Sequence, residues 1–169
     1  MAGAAARGYR RGMEPTGPAD RYDVIVIGAG PAGENVADRV VRGGLSCLVV
    51  ESELVGGECS YWACMPSKAL LRPVELAAAA ARVPGVPTGR PDPAAVFARR
   101  DGFTAHHDDA GQVRWLTDLP ADLVRGTGRI TGVRQVTVTR PDGPPVTVTA
   151  TRAVVVATGT AAALPPVPG

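Results

Sequence analysis

Several features that would assign this chain to a broad class of protein are missing from it. No uninterrupted apolar run approaches the ~18 residues that span a bilayer, and no apolar segment follows the arginines of the first twenty residues. The formal net charge of +2 gives no reason to expect a nucleic-acid partner. We therefore expect a protein of the reducing cytoplasm with no membrane partner and no nucleic-acid partner.

Lysine and cysteine are scarce. The chain has seventeen arginines but a single lysine, Lys68, and chance or function could each explain why one lysine remains. Of the three cysteines, Cys47 falls in an apolar segment, away from the other two, and His106-His107 lie in a charged loop. No second pair of zinc ligands is present, so we predict no metal site and interpret these three residues as structural or solvent-facing.

The length and composition indicate one ordinary domain. A chain of 169 residues is too short for two full catalytic domains, and 45% hydrophobic with 20% charged residues suits a soluble globular core. Residues 1–20 are small and polar, with glycine and proline but no periodicity. We predict a disordered tail over residues 1–20 and a domain over residues 21–169.

A strand–helix–strand unit opens this domain. The β-branched run Tyr22–Ile27 predicts a strand that is buried on both faces of a parallel sheet. A helix is predicted over residues 32–42 and ends at Gly43-Gly44, and a second strand over residues 46–50 ends at Glu51. The expected fold is thus α/β, a parallel sheet with helices.

The remainder of the chain predicts a mixture of helices and a β-meander, and the stretch up to Trp115 shows no clear pattern. The expected elements are a glycine-rich loop over 53–63, a helix from Pro66 to Arg82, a short helix over 94–100, and strands near 123–130, 135–140, 146–150 and 153–157.

The first strand leads into the dinucleotide-binding pattern Gly28-x-Gly30-x-x-Gly33. The first glycine allows a tight turn, the second allows backbone to approach a pyrophosphate, and the third allows the helix to pack closely on the strand. Glu51 follows at the end of the second strand, where an acidic residue accepts hydrogen bonds from a ribose. This pattern predicts FAD or NAD, without separating them, and disfavours NADP.

Cys59 and Cys64 lie in the loop before the Pro66 helix. Residues five apart on a continuous helix point in different directions, so bonding requires an irregular turn between them. A structural disulfide gains only ~2 kcal/mol from so small a loop, and a zinc site needs more ligands. A redox dithiol at a helix N-terminus fits best, since the partial positive charge there stabilises a thiolate.

With these residues in view, the sequence resembles the class I pyridine nucleotide–disulfide oxidoreductases, which include dihydrolipoamide dehydrogenase, glutathione reductase and mercuric reductase. The pattern GGxCxxxxCxPSK over residues 56–68 carries the resemblance, together with residues 125–132 and Ala157-Thr158-Gly159. The resemblance implies a Rossmann-like FAD-binding domain that is incomplete at its C-terminus, and FAD as the cofactor.

The resemblance also implies roles for individual residues. Cys64 would be the thiolate against the flavin, Cys59 the thiol that attacks the substrate, and Lys68 a positive charge near the reactive flavin nitrogen. The FAD would be held by Gly28, Gly30 and Gly33 at the pyrophosphate, Glu51 at the ribose, Gly57 beside the flavin, Gly128 at the adenine, and Thr158 and Gly159 at the later crossover.

In the family, NAD(P)H reduces the flavin, electrons pass through the cysteine pair to a small-molecule or thiol/disulfide acceptor, and a homodimer completes the site. We expect this chain to be an N-terminal fragment that lacks the NAD(P)H-binding and dimerisation domains. It departs from the family pattern at Glu58 and at residues 60–63, so the resemblance does not identify the acceptor. Two alternatives stay open: an inactive FAD-binding remnant, and an FAD oxidase or monooxygenase, against which the paired cysteines argue.

Overall fold

A computed structural model describes residues 20–160, 163 and 165–167, so the tail predicted over residues 1–20 lies outside the described residues except for Asp20. The elements are β1 (Arg21–Ile27), α1 (Pro31–Arg42), β2 (Cys47–Glu51), α2 (Gly57–Tyr61), α3 (Cys64–Ala80), α4 (Pro93–Phe103), a 3-10 turn (Ala105–His107), α5 (Ala110–Asp118), β3 (Asp122–Arg125), β4 (Thr127–Gly132), β5 (Gln135–Thr139) and β6 (Val146–Val156).

The strands form one mixed sheet in the order β3-β2-β1-β6-β5-β4. Strands β3, β2, β1 and β6 are parallel neighbours, while β5 and β4 continue from β6 as an antiparallel meander. The α/β architecture with a parallel sheet and a β-meander is therefore confirmed. Because β1, β2 and β6 run side by side, their carboxyl ends open at one edge of the sheet, where α/β proteins bind ligands.

Both faces of the parallel strands are buried, as the apolar runs predict. Val26 and Val49 face a core shared with Ala37 of α1 and Leu116 of α5. On the opposite face, Ile25 packs with three valines of the meander that are at most 1% exposed, Val136, Val138 and Val148. The sheet is thus covered by helices on one side and by the meander on the other.

The prediction of a single strand over residues 123–130 is wrong. The segment forms two strands, β3 and β4, which lie at opposite edges of the same sheet. They separate at Gly126, whose φ of 151° is in the region that favours glycine and whose missing side chain would overlap the carbonyl oxygen of Thr139. The chain therefore leaves the parallel sheet at Gly126 and crosses to the meander.

The two strands expected over residues 146–150 and 153–157 are in fact one strand, β6. Its first half pairs with β5 in antiparallel register, and its second half pairs with β1 in parallel. The polar residues Thr151 and Arg152 lie between the two halves, and both donate to the Asp23 carboxylate. The register of β6 against β1 shifts at this point, between the pairs Tyr22–Ala150 and Val24–Ala153.

The helices also differ from expectation in their bounds. The loop expected over residues 53–63 contains α2, and the helix expected from Pro66 begins two residues earlier, at Cys64. The stretch up to Trp115 that showed no clear pattern carries the end of α4, the 3-10 turn and the first part of α5. No helix within the described ranges is both long and apolar enough to cross a bilayer.

Candidate functional site

A cleft of about 850 Å³ opens at the carboxyl ends of β1, β2 and β6. Its volume falls within the range of small-molecule and cofactor sites. It brings together most of the residues singled out from the sequence: Gly28, Gly30, Glu51, Gly57, Cys59, Cys64, Gly128, Thr158 and Gly159. Gly33 and Lys68 do not line the cleft. Gly33 lies beneath the glycine loop, and Lys68 lies exposed on α3.

The glycine loop between β1 and α1 forms one wall of the cleft. Gly28 has a φ of 102°, and its N–H donates to the carbonyl of Val50 at 2.8 Å. A side chain at Gly28 would overlap the carbonyl oxygen of Ala157, so the loop lies directly against the end of β6. Gly33 lies beneath the loop, where a side chain would overlap the carbonyl oxygen of Gly28. Its lack of a side chain thus permits close packing of the helix on the loop, the role that the pattern predicts for the third glycine.

Gly30 is the residue before α1, with Pro31 in the first turn of that helix. The first turn of an α-helix leaves backbone N–H groups without helical partners and carries partial positive charge. The Cβ of any side chain at Gly57 would lie 2.9 Å from the Cα of Gly30, so α2 docks directly on this loop. The glycines therefore create a backbone-lined cradle that suits a pyrophosphate, with α2 at its edge.

Glu51 ends β2 and is a nearly buried residue, at 8% exposure. One carboxylate oxygen accepts from the N–H of Ala29 at 2.6 Å, and the other accepts from the N–H of Glu53 at 2.8 Å. Glu51 therefore ties the glycine loop to the end of β2 in addition to lining the cleft. The sequence pattern suggested a ribose ligand and did not indicate this bracing contact.

On the far side of the cleft, Gly128 of β4 passes over the ends of β1 and β2. A Cβ at Gly128 would lie 3.2 Å from the side chains of both Ile27 and Val50, which leaves little room for a larger residue. Thr158 and Gly159 follow β6, whose end is held to β1 by the hydrogen bond from Ala157 to the carbonyl of Ile27. These three residues complete the wall opposite α2.

Cys59 and Cys64 lie on different helices. Helix α2 ends at Tyr61, and Trp62 and Ala63 form an irregular turn before α3 begins at Cys64. This is the kind of turn that the sequence required if the cysteines were to meet. Both are free, half-buried thiols, and their side chains are joined by a hydrogen bond.

The environment of Cys59 changes its acidity. The pKa of the Cys59 thiol is raised, first by its hydrogen bond with the Cys64 side chain and then by burial. The positive charge of Lys68 and a backbone hydrogen bond from Cys64 act in the opposite direction. Lys68 is exposed and lies one helical turn after Cys64 on α3, and its charge acts on Cys59.

Cys47 belongs to the core. It is 1% exposed on β2, and burial followed by the nearby charge of Asp122 raises its pKa to about 12. The interpretation of Cys47 as structural therefore agrees with its position.

His107 is solvent-exposed, but its ring lies 5.5 Å from that of Trp62 and 6.1 Å from that of Tyr61. Both of these aromatic residues lie between Cys59 and Cys64 in the sequence.

Three further residues hold the cysteine-bearing segment and were not found from the sequence. Asp109 accepts from the N–H of Val55 at 2.8 Å and pairs with Arg125, which also donates to the carbonyl of Glu53. Gln112 of α5 donates to the Ser60 hydroxyl at 2.9 Å. These residues are 16 to 72 positions from the groups they contact, and no local pattern in the sequence connects them.

The hydroxyl of Tyr61 donates to the carbonyl of Val55 at 3.0 Å, which ties α2 to the segment before it. The pKa of Tyr61 is raised, chiefly by burial and also by the charges of Asp109 and Glu34, while a hydrogen bond with Gln112 lowers it. Both residues that follow Cys59 are therefore in contact with Gln112.

A glycine-lined cleft at the carboxyl ends of parallel strands, with two neighbouring thiols at its edge, is typical of a dinucleotide-binding α/β domain. The chain belongs to the pyridine nucleotide-disulphide oxidoreductase family, whose sequence model matches residues 22–169. Members of this family are FAD-dependent oxidoreductases that use NAD(P)H. The resemblance seen in the residue patterns is thereby confirmed.

Individual relatives agree with this assignment. The chain is 35% identical to the dihydrolipoyl dehydrogenase of Chlorobaculum tepidum over 83% of its length, and 28% identical to the mercuric reductase of Staphylococcus aureus over 98%. It matches 30% of the first protein and 31% of the second. The chain therefore spans about a third of the length of these relatives.

A solved structure has a similar fold. The HOCl-induced flavoprotein disulfide reductase RclA of Escherichia coli, as its Cu(II) complex, superimposes with a TM-score of 0.71 over 89% of this chain and 31% of that chain. The two are 22% identical in sequence, so this likeness concerns the fold alone.

Proposed function

We propose that this chain is the FAD-binding part of a flavoprotein disulfide reductase in which Cys59 and Cys64 relay electrons to an acceptor. One observation carries the proposal: two hydrogen-bonded thiols lie at the edge of a glycine-lined dinucleotide cleft. The pair argues against an FAD oxidase or monooxygenase that works through the flavin alone. When bound, FAD supplies the two-electron chemistry that connects NAD(P)H with the cysteine pair.

The residues present fit FAD on physical grounds. Gly28, Gly30 and Gly57 offer backbone without side chains along one wall, and the first turn of α1 offers partial positive charge to a pyrophosphate. Glu51 lies in the cleft at the end of β2, where a carboxylate can accept from ribose hydroxyls. Gly128, Thr158 and Gly159 would bind the adenine side and the later crossover of the cofactor.

Cys59 and Cys64 would have different roles in the reduction of the acceptor. Cys59, as a thiolate, attacks one sulfur of an acceptor disulfide, which forms a mixed disulfide and releases the other half of the acceptor as a thiolate. Cys64 then attacks the sulfur of Cys59, which releases the second half and leaves a Cys59–Cys64 disulfide. Two electrons have moved from the pair to the acceptor. Lys68, whose charge lowers the pKa of Cys59, assists the loss of the Cys59 proton.

The test is an absorbance measurement on FAD-reconstituted protein. In Cys59→Ser, the Cys64 thiolate is expected to remain beside the flavin and to produce a long-wavelength charge-transfer band. Cys64→Ser should lack this band, and Cys47→Ser, altered in the core away from the cleft, should behave as the unaltered protein. Bound FAD with no band in Cys59→Ser would contradict the assigned roles. Failure to bind FAD would contradict the proposal as a whole.

A further inference from the structure

The stretch that gave no pattern in the sequence provides two side-chain hydrogen bonds to the cysteine-bearing segment. Gln112, in the first turn of α5, donates to the hydroxyl of Ser60, the residue next to Cys59. Asp109, just before α5, accepts from the N–H of Val55, just before α2. Helix α2 is thus attached to α5 at both of its ends.

The contact of Gln112 with α2 is close. Gly56 precedes α2 with a φ of 108°, and a side chain there would overlap the Gln112 amide. The amide therefore occupies the space that a larger residue at position 56 would fill. Gln112 therefore contacts α2 near its start, beside Gly56, and near its end, at Ser60.

The attachment is braced from a third element. Arg125, the last residue of β3, pairs with the Asp109 carboxylate and donates to the carbonyl of Glu53. The Asp109 side chain is 14% exposed, which limits screening of this pair by solvent. The sheet thus fixes the position of Asp109, and Asp109 with Gln112 fixes that of α2.

The separation of the two sulfurs depends on this attachment. Cys59 lies on α2 and Cys64 on α3, and the two helices are joined by the turn of Trp62 and Ala63 and by the contact between the two cysteines. A disulfide requires its two Cα atoms within about 7 Å and a restricted torsion angle. An anchored α2 restricts the movement of Cys59 relative to Cys64 in the dithiol, so less conformational freedom is lost when the disulfide forms.

We propose that Gln112 is a positioning residue that stabilises the Cys59–Cys64 disulfide relative to the dithiol by anchoring α2 through Ser60. This inference rests on the proposed function, because it assigns a redox role to the pair. Because the hydrogen bond is present in the dithiol as well, only the part of its free energy that couples to disulfide formation shifts the equilibrium, so its loss should lower the equilibrium constant by up to about tenfold. At 29.6 mV per tenfold change, the reduction potential becomes less negative by up to about 30 mV and by more than about 5 mV.

The experiment measures that potential directly, without turnover. The protein is equilibrated without oxygen in glutathione buffers of graded potential and quenched with acid. Free thiols are then alkylated, and the fraction of Cys59–Cys64 disulfide is read by mass spectrometry. Gln112→Leu and Ser60→Ala each remove the hydrogen bond, and Ser60→Thr retains a hydroxyl. Thr117→Ala is the matched control, since the Thr117 hydroxyl donates to Arg114 within α5.

We expect Gln112→Leu and Ser60→Ala to shift the potential by similar amounts, and the double variant to shift it no further. Ser60→Thr and Thr117→Ala should remain within about 5 mV of the unaltered protein. If Gln112→Leu fails to fold, as judged by circular dichroism, the Ser60→Ala and Ser60→Thr pair decides the matter.

A potential unchanged in Ser60→Ala, or shifts that add fully in the double variant, would overturn the role of Gln112 but leave the proposed function intact. A different result, in which the unaltered protein forms no Cys59–Cys64 disulfide in any buffer, would overturn both. The two failures are therefore distinguishable.

Discussion

Replacing Glu51 by glutamine separates a bracing role from a ligand-binding role at the end of β2. The two carboxylate oxygens of Glu51 accept from the N–H groups of Ala29 and Glu53, at 2.6 Å and 2.8 Å. A glutamine has one acceptor oxygen, so one of these two N–H groups would face an amide NH₂ instead. That N–H would be left without a partner next to a side chain that is 8% exposed.

The expected loss of stability follows from the loss of one hydrogen bond to the charged carboxylate of a nearly buried residue. A hydrogen bond to a charged group contributes about 1.5–3 kcal/mol, and a buried unpaired donor costs a similar amount. We expect Glu51→Gln to lower the free energy of unfolding by about 2–3 kcal/mol in the absence of any nucleotide. The measurement is urea denaturation followed by circular dichroism, with linear extrapolation to water.

Glu53→Gln is the matched control, because the Glu53 side chain is exposed and is expected to change stability by less than about 0.5 kcal/mol. The reasoning is refuted if Glu51→Gln unfolds within about 0.5 kcal/mol of the unaltered protein. Weaker ADP binding in calorimetry with unchanged stability would mean that Glu51 serves the ribose alone.

Three other changes test the fold and the thiols. Gly33→Ala should lower the free energy of unfolding by about 3 kcal/mol or more, because the methyl group would overlap a backbone oxygen. Gly102→Ala, which lies in open space on α4, should raise it by about 0.5–1 kcal/mol in the same urea assay. Equal effects of the two changes would contradict the packing described for Gly33. The pKa of Asp23 is lowered to about 2 from 3.8, first by hydrogen bonds from Ser46, so its stabilisation is present above pH 4 and is lost as the pH falls towards 2. After allowance for solvent screening this amounts to about 1 kcal/mol, and Asp23→Asn should remove that part of the pH dependence in thermal melts from pH 2 to 5; an unchanged slope would contradict it. Iodoacetamide at pH 8 should alkylate Cys59 well before buried Cys47, whose pKa is about 12, and similar rates by mass spectrometry would contradict the core position of Cys47.

The parts of the site that could be predicted from the sequence are those whose functional residues lie close together along the chain. The strand ending at Ile27 leads straight into the glycine pattern, because the tight turn, the close approach and the helix packing all depend on consecutive backbone. The cysteine spacing likewise demanded a turn, which the structure places at Trp62 and Ala63. Here the local chain carries enough information to indicate the site.

Other features depend on contacts between distant residues, which a single sequence does not reveal. Because Thr151 and Arg152 are polar, the sequence suggests that a strand ends there. In the structure the strand continues through them, and both side chains donate to Asp23 of the neighbouring strand. Gly126 looks like part of a continuous strand, although it marks the crossing to the opposite edge of the sheet. Gln112 contacts Ser60 from 52 positions away, and nothing in its own neighbourhood indicates that contact.

The central claim is that the cysteine pair and a flavin act as one redox unit. Titration of the FAD-reconstituted protein with dithionite, without oxygen and followed by absorbance, counts the electrons that this unit accepts. We predict four electrons for each flavin, two at the ring and two at the Cys59–Cys64 disulfide. Uptake of only two, with the flavin fully reduced and the sulfurs unchanged, would contradict the account.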